Sequence, residues 1–309
     1  MEIRVLQYFL MVAREENITR AAHLLHVTQP TLSRQLMQLE EELGVTLFSR
    51  GNHRITLTEE GLLLRRRAEE IVLLSEKTKA DLQRREGALS GTIFVGAGEL
   101  RSSQFLAQLM AAFRKDHPLV RFELYSGNAD NIKERIERGV LDVGLVPEPV
   151  ELAKYEFLRT PIQEQWCALV REDSPLAQLE HVCPEDLLGI PLVLPQREIL
   201  QKEMARWFGP LWEKLDIAAS GNLLYNMAVL VREMDGCVLT MQRLDCQFDG
   251  LRPVPLSPPL EAGTVLIWKR SPTFSPVTGA FLHFSKSFLT GMKDNEKLAL
   301  DFPPSFGVQ

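Results

Sequence analysis

Apolar residues in the first 44 positions recur every three or four residues, which is the period of an amphipathic helix. Leu6 and Phe9 lie on one face of a first helix, and Thr19 is placed to cap a second. Pro30 stands in the first turn of a third helix, where a missing N–H has no consequence, and Gly44 ends that helix. The buried stripe of the third helix consists of Leu32, Leu36, Leu39 and Leu43.

The next segment predicts a two-stranded wing followed by one long helix. Two short β-prone runs, 46–48 and 54–57, flank a basic tip at 49–53. Thr58 is placed to cap the long helix, and acidic residues follow in its first turn.

A stripe along this long helix has the spacing of a coiled-coil seam, alternately four and three residues. A helix with such a stripe packs against its own domain or pairs with a second copy of the chain. We favour pairing, because no other helical segment adjoins this helix in the sequence. The positions assigned to dimerisation are Leu64, Ala68, Ile71, Ser75, Thr78 and Leu82.

After residue 86 the chain changes to alternating strand-like and helical segments. Short β-prone runs occur at 92–95, 121–125, 142–146, 165–170, 192–194, 237–240 and 264–268. Helical patterns lie between them at 102–115, 128–138, 197–208 and 223–234. This alternation predicts an α/β fold with a largely parallel sheet covered by helices, long enough for two linked lobes. The segment 294–309 is predicted to be a flexible tail.

Composition and charge argue against a membrane protein but do not decide whether the chain binds DNA. The 309 residues are 45% hydrophobic and 25% charged, as in an ordinary globular protein, and no apolar run approaches the roughly 18 residues of a membrane helix. The net charge is −6, and residues 1–90 hold equal numbers of acidic and basic side chains. A neutral N-terminal part can still bind DNA if its arginines cluster on one face.

The sequence gives little support for a catalytic or metal site. The 4 cysteines include no C-x-x-C pair, which predicts free thiols in a reducing cytosol, and the 6 histidines lack metal-ligand spacing. A G-x-G occurs at Gly96 and Gly98, but Arg101 stands where a dinucleotide-binding loop needs a third glycine. We therefore expect no enzyme activity, no metal and no cofactor.

The third helix carries the strongest indication of function. In a helix-turn-helix motif the second helix lies in the major groove, and its first turns face bases and phosphates. Gln can read adenine and Arg can read guanine, each through two hydrogen bonds. The candidate DNA contacts are Thr28, Gln29, Thr31, Ser33, Arg34 and Gln38 on the helix and Arg50, His53 and Arg54 in the wing. The alternative is a small helical subdomain with solvated polar faces.

Residues 17–50 resemble the N-terminal signature of LysR-type transcriptional regulators, and they read NITRAAHLLHVTQPTLSRQLMQLEEELGVTLFSR. The resemblance continues through ITLTEEG and the long helix to LSGTIFVGAGE, LDVGLV and EDLLGIPLVL, landmarks of that family's effector domain. It implies an N-terminal winged helix-turn-helix, a linker helix and two α/β lobes resembling type 2 periplasmic binding proteins. The implied domains are 1–58, 59–90 and 91–293, with a first lobe at 91–162 and 266–292 and a second at 163–265.

The resemblance also implies a function. It describes a cytoplasmic bacterial regulator that binds double-stranded operator DNA as a homodimer or homotetramer, with RNA polymerase as a further candidate partner and no membrane association. A small-molecule effector between the lobes would change how the operator is bound and bent. The family's pattern adds Pro30 to the DNA contacts. Two alternatives remain: a ligand-independent winged-helix protein whose C-terminal domain only oligomerises, and an α/β solute-binding or catalytic protein with a helical appendage.

The effector site is where the sequence departs from the family. Members usually place Ser or Thr shortly after the first effector-domain strand, where hydroxyls and a helix N-terminus hold an anion, and here those positions are Gly98 and Leu100. Donors at the helix start are able to bind a carboxylate, whereas Glu99 would repel one if it faced the cleft. The candidate effector positions are Gly98, Glu99, Leu100, Arg101, Ser102, Ser103, Ser126, Asn128, Gln196, Arg197, Asn222 and Asn226.

Overall fold

The computed structural model describes residues 1–50, 55–82, 89–241, 248–270 and 274–294. The chain divides into two compact units, Met1–Glu86 and Gly87–Gln309, and each has its own hydrophobic core. None of the helices in the described ranges has the length and apolar character that crossing a membrane requires.

The N-terminal unit contains three helices, a two-stranded hairpin and a longer helix. In chain order they are α1 (Ile3–Glu15), α2 (Ile18–Leu24), α3 (Gln29–Leu43), β1 (Phe48–Arg50), β2 (Ile55–Leu57) and α4 (Glu59–Leu82). The two strands pair antiparallel, with Phe48 opposite Leu57. The prediction that Thr19 caps α2 is wrong, because the helix begins at Ile18 and Asn17 Oδ1 accepts the N–H of Arg20 at 2.9 Å. Asn is among the strongest N-cap residues.

One core joins all four helices of this unit. Phe9 of α1 is fully buried, and its ring centroid lies 5.2 Å from that of Phe48. Helix α4 packs on α1, and Ala68 of α4 is fully buried in the same core. At Gly61 a Cβ would lie 2.2 Å from the carbonyl oxygen of Leu47, so only glycine permits this approach. Small residues on α4 therefore allow close packing within the unit.

The C-terminal unit alternates strands and helices. Its first elements are β3 (Gly91–Ala97), α5 (Ser102–Asp116), β4 (Val120–Ser126), α6 (Ala129–Glu137), β5 (Val143–Pro147) and β6 (Tyr155–Arg171). They are followed by β7 (Leu192–Pro195), α7 (Glu198–Phe208), β8 (Ile217–Gly221), α8 (Leu224–Met234), β9 (Cys237–Met241), β10 (Leu251–Pro255), β11 (Glu261–Lys269) and α9 (Pro276–Asp294). Short 3-10 helices occur at Pro175–Gln178, Pro184–Leu187 and Gly209–Lys214.

The strands form a mixed sheet in the order β4-β3-β5-β11-β6-β9-β7-β8, with β10 paired to β6. Strand β3 is parallel to β4 and β5, and β7 is parallel to β8 and β9, so each half of the sheet has a parallel part. The antiparallel strands β11 and β6 lie between these halves. The predicted α/β architecture is confirmed, but the prediction of a largely parallel sheet is wrong, because β11, β6 and β10 form antiparallel pairs through its middle.

Two lobes are connected by the long strands β6 and β11. Ile162 of β6 belongs to the core of the first lobe, whereas Trp166, two side chains further along the same face, belongs to the core of the second. At the crossing Glu164 pairs with Ala262 of β11, and the register of the ladder shifts just beyond it. The crossing therefore forms the connection between the lobes.

Helices and strands of this unit agree closely with the sequence pattern, with four differences. Helix α9 (Pro276–Asp294) was not predicted. Strand β6 is 17 residues long and serves both lobes, whereas the pattern predicted only 165–170. Strands β8 and β10 were not predicted. Strand β8 lies at the edge of the sheet, and its mostly exposed residues give no apolar pattern that indicates a strand. Strand β10 contains Pro253 and Pro255, and proline is unfavourable in most strands.

Candidate functional site

The start of α3 is held by a hydroxyl cap. Thr28 is the N-cap residue, its Oγ1 accepts the N–H of Thr31 at 3.4 Å, and the two threonine hydroxyls are 2.8 Å apart. Pro30 occupies the first turn, as predicted, and Gly44 ends the helix with φ of 68°. The short turn before Thr28 and this cap fix the direction in which α3 leaves α2.

Helix α3 has one buried and one exposed face. Leu32, Leu36 and Leu39 are buried in the core of the unit. The opposite side presents Gln29, Pro30, Thr31, Arg34 and Gln38 to solvent, with Ser33 half-buried. Gln29 Nε2 donates to Ser33 Oγ at 2.9 Å, so these two side chains are held together.

Arg34 is the exposed cation on this face. Among the described residues no carboxylate lies within ion-pair distance of it, whereas Arg20 of α2 is paired with Glu15 at 2.5 Å. An unpaired guanidinium on a polar, exposed helix face has all its donors available for a base edge or a phosphate. The structure therefore brings the predicted helix residues onto one accessible surface.

The wing is described only in part. Arg50 is the last residue of β1 and pairs in register with Ile55. The predicted contacts His53 and Arg54 lie outside the described residues, so they stay predictions.

The stripe assigned to dimerisation divides into two parts. Ala68 is fully buried inside its own unit, so its assignment to a dimer seam is corrected, whereas Leu64 is half-buried beside the same core and stays a prediction. Further along α4, Ile71 is 36% exposed and the exposed Thr78 donates its hydroxyl to the carbonyl of Leu74. Ser75 is half-buried, and Leu82 is the last residue of α4.

The predicted effector residues of the C-terminal unit follow four parallel strands. They lie after the carboxyl ends of β3 and β4 in the first lobe and of β7 and β8 in the second. In open α/β sheets this edge is where ligands bind. Seven of the twelve positions make the contacts described next, while the side chains of Glu99, Ser126, Gln196, Asn222 and Asn226 are exposed.

An ion pair links the lobes at this edge. Arg197, the N-cap residue of α7, donates from Nε and Nη2 to the two carboxylate oxygens of Asp130 at 2.9 and 3.1 Å. Asp130 lies in the first turn of α6, so the pair joins the end of β4 to the end of β7. The pKa of Asp130 is lowered, chiefly by this hydrogen bond with Arg197.

An apolar contact accompanies the ion pair. Leu100 follows β3 in the first lobe and packs against the core of the second. Ser103 shapes the loop that carries it, because Ser103 Oγ donates to the carbonyl of Gly98 at 2.8 Å and accepts the N–H of Leu100 at 3.3 Å. These contacts explain why an apolar residue stands at position 100.

The start of α5 is occupied by a residue that the sequence analysis missed. Glu164 of β6 is fully buried, and its two carboxylate oxygens accept the N–H groups of Arg101 and Ser102 at 3.1 and 2.8 Å. The donors predicted to bind a carboxylate therefore already bind one that belongs to the chain. The alternation of side chains along β6 indicates that Glu164 is buried, because it shares a face of the strand with the apolar residues Ile162 and Trp166. The residues between them, Gln163 and Gln165, are exposed.

Two other candidates have structural roles. The side chain of Asn128 caps α6 by accepting the N–H of Asn131 at 2.9 Å. The backbone N–H of Gln196 donates to the carbonyl of Gly221 at 2.8 Å, which ties the ends of β7 and β8 together. Within the described ranges there is also no group of three or more His, Cys, Asp or Glu residues able to hold a metal ion.

Comparisons with known proteins cover both units. Residues 3–62 match the family model described as bacterial regulatory helix-turn-helix protein, lysR family, and residues 86–290 match the LysR substrate binding domain. The chain is 32% identical over 175 residues to the HTH-type transcriptional regulator BsdA of Bacillus subtilis, covering 56% of this chain and 59% of BsdA. It is 34% identical over 210 residues to the transcriptional activator IlvY of Salmonella typhimurium, covering 67% of this chain and 71% of IlvY. The chain thus spans less than two thirds of BsdA.

A solved structure shares the fold across nearly the whole chain. Full-length CbnR in complex with its target DNA superposes with a TM-score of 0.71 at 21% identity, covering 93% of this chain and 99% of CbnR. At that identity the likeness concerns the fold alone.

Proposed function

Because the chain belongs to the LysR family of bacterial helix-turn-helix regulators, we propose that it is a sequence-specific transcriptional regulator whose operator binding responds to a small molecule between its two α/β lobes. It acts in the cytoplasm, is not an enzyme, and has operator DNA as its principal partner. RNA polymerase is a further candidate partner.

The exposed face of α3 carries this proposal. Its polar side chains present donors and acceptors in the first three turns of α3, as does Arg34, which pairs with no carboxylate in the described part of the chain. A major groove admits one α-helix and offers each base pair a distinct set of donors and acceptors. CbnR, which has the same fold, was solved on its target DNA.

The remaining parts fit a regulator made of separate functional segments. We assign 1–58 to the DNA-binding domain, 59–90 to a linker helix, 91–293 to the effector domain and 294–309 to a tail. Helix α4 carries apolar side chains that are accessible to a second copy, since Leu62 is 57%, Leu63 56% and Ile71 36% exposed. We therefore expect a homodimer or homotetramer.

Selection from a random pool tests DNA binding directly. Full-length protein is used to enrich duplexes from a randomised library, and the enriched sequence is compared with a scrambled duplex by fluorescence anisotropy at two salt concentrations. A specific regulator prefers the enriched duplex by about a thousand-fold or more, and the preference persists as salt rises. Failure to enrich any sequence, or equal and steeply salt-dependent affinity for both duplexes, would contradict the proposal.

The alternative is a regulator whose C-terminal unit only oligomerises and binds no ligand. Thermal unfolding in the presence of a metabolite library separates the two, because a ligand that binds only the native state raises the Tm. A hit that also changes affinity for the enriched duplex supports effector control. No hit across a broad library favours the alternative.

A further inference from the structure

Glu164 is a buried acid held at the N-terminus of a helix. Its side chain lies on β6 at the crossing between the lobes, has no exposed surface, and accepts two backbone N–H groups from the first turn of α5. Each carboxylate oxygen takes one donor, which suits an ionised group that only accepts hydrogen bonds.

The surroundings of Glu164 account for its burial. An isolated carboxylate is strongly destabilised away from water, whereas hydrogen bonds from backbone N–H groups and the positive end of a helix stabilise it. Helix α5 is 15 residues long, so its N-terminus is a full helix end. The same features would stabilise the carboxylate of a bound ligand.

A second observation concerns Ser102, the first residue of α5. Its Oγ is buried and has no hydrogen-bond partner among the residues that the structure describes. A hydroxyl in this state is a donor left over at the place where the Glu164 carboxylate sits. The helix end thus holds a hydroxyl donor that the Glu164 carboxylate does not use.

A ligand carboxylate is excluded from this place while Glu164 occupies it. The tethered group has a far higher effective concentration than a free ligand, and two carboxylates at one helix end repel each other. Leu100 fills the neighbouring space with an apolar side chain that packs on the second lobe.

We propose that Glu164 is an internal ligand and a specificity-determining residue: its carboxylate fills the anion site at the N-terminus of α5, so this helix end does not bind a carboxylate of the effector. The part of the inference that concerns the effector rests on the proposed function. The part that concerns the anion site stands on Glu164, Arg101 and Ser102 alone and is tested without DNA.

The test empties the site and refills it from solution. Thermal unfolding of the full-length wild-type protein, Glu164→Ala and the control Glu123→Ala is measured in sodium acetate, in acetamide and in sodium chloride of equal ionic strength. Glu123 is an exposed acid on β4, so its removal controls for the change in charge. Acetamide has the shape of acetate without its charge and controls for simple filling of a cavity.

The proposal predicts a selective rescue. Glu164→Ala should lower the Tm by about 5–10 °C in chloride, because two buried donors lose their partner. Acetate at about 100 mM should raise the Tm of this variant by about 3–5 °C in a saturable manner, and acetamide should not. Wild type and Glu123→Ala should show no difference between acetate and chloride. Equal responses of wild type and Glu164→Ala to acetate, or no response in either, would overturn the proposal.

A second variant decides the matter if Glu164→Ala does not fold. Glu164→Gln keeps the shape, but its amide places an N–H2 group against one of the two backbone donors. Its Tm should fall by about 3 °C or more, while Glu123→Gln should leave the Tm unchanged. An unchanged Tm in Glu164→Gln would overturn the proposal. Because none of these readouts involves DNA, a failed rescue is distinguishable from a failure to bind an operator.

Discussion

Arg197 and Asp130 form a two-point ion pair that joins the lobes of the C-terminal unit. The guanidinium is almost fully enclosed, with 9% of the Arg197 side chain exposed, whereas 58% of the Asp130 side chain is exposed. Both hydrogen bonds connect an element of the first lobe to one of the second. The pair is therefore a contact between lobes that can be removed without disturbing either core.

Asp130→Asn should weaken this contact modestly. The carboxylate is more than half exposed, and pairs of this kind contribute about 1 kcal/mol or less to the free energy of unfolding. Urea unfolding followed by tryptophan fluorescence measures the loss, because all 4 tryptophans lie in the C-terminal unit. Glu198→Gln is the matched control, since Glu198 is a fully solvated acid of the same region that pairs with Lys202 within α7. A larger loss in the control than in Asp130→Asn would contradict the role of the pair.

The pH dependence of this effect has a defined sign. The pKa of Asp130 is lowered from its ordinary value of 3.8 by the hydrogen bond with Arg197, so the folded state favours the ionised form. The stabilisation is present above the unfolded value and is lost as pH falls through the lower folded value. The difference in unfolding free energy between wild type and Asp130→Asn should stay constant from pH 7 to about 4 and shrink below that. A difference that vanishes near pH 6 would assign it to another group.

Ala68→Leu tests whether α4 packs on its own unit. Leucine adds three carbon atoms at a fully buried position, and such overpacking costs about 1–3 kcal/mol. Unfolding followed by the helical signal in circular dichroism should show this loss of stability. The unfolding transition of the C-terminal unit, followed by tryptophan fluorescence, should stay unchanged. Arg66→Leu, at an exposed position of the same helix, should change the free energy of unfolding by less than about 0.5 kcal/mol. Similar small effects of both substitutions would mean that Ala68 faces solvent or a second copy.

The thiols should differ in reactivity. Burial raises the pKa of Cys167 to about 12 and also raises that of the fully buried Cys237, whereas Cys183 is half-buried. Alkylation requires the thiolate. Iodoacetamide at pH 8, read out by peptide mass spectrometry, should therefore modify Cys183 before Cys167 and Cys237, which should react only after urea is added. Early modification of Cys237 in the native protein would contradict the described packing of β9.

Local patterns predicted most of the helices and strands because each depends on neighbouring residues. The run at 192–194 became β7 (Leu192–Pro195), and the helix at 102–115 became α5 (Ser102–Asp116). Strand β10 was missed because its prolines oppose a strand in general, but it pairs only with β6 among the named strands and tolerates them there.

Contacts between distant residues were harder to predict than elements. Ala68 belongs to a stripe on α4 that could pack against its own unit or against a second copy of the chain. The sequence alone does not indicate that α1 covers it. Glu164 lies 62 positions from Ser102, and only the folded sheet brings its carboxylate to α5. Arg197 was selected as an effector contact for its place after the strand at 192–194. Its pairing with Asp130 was not predicted, because the two residues are 67 positions apart.

The central claim is that the exposed face of α3 reads DNA, and Arg34→Ala tests it most directly. Fluorescence anisotropy gives the affinities of wild type, Arg34→Ala and the control Arg252→Ala for the selected duplex and for its scrambled counterpart. Arg252 is an exposed arginine on β10 of the C-terminal unit. The account predicts that Arg34→Ala loses about 1–3 kcal/mol on the selected duplex and less on the scrambled one, while Arg252→Ala behaves as wild type. An unchanged ratio of the two affinities in Arg34→Ala would contradict the claim that this residue reads a base.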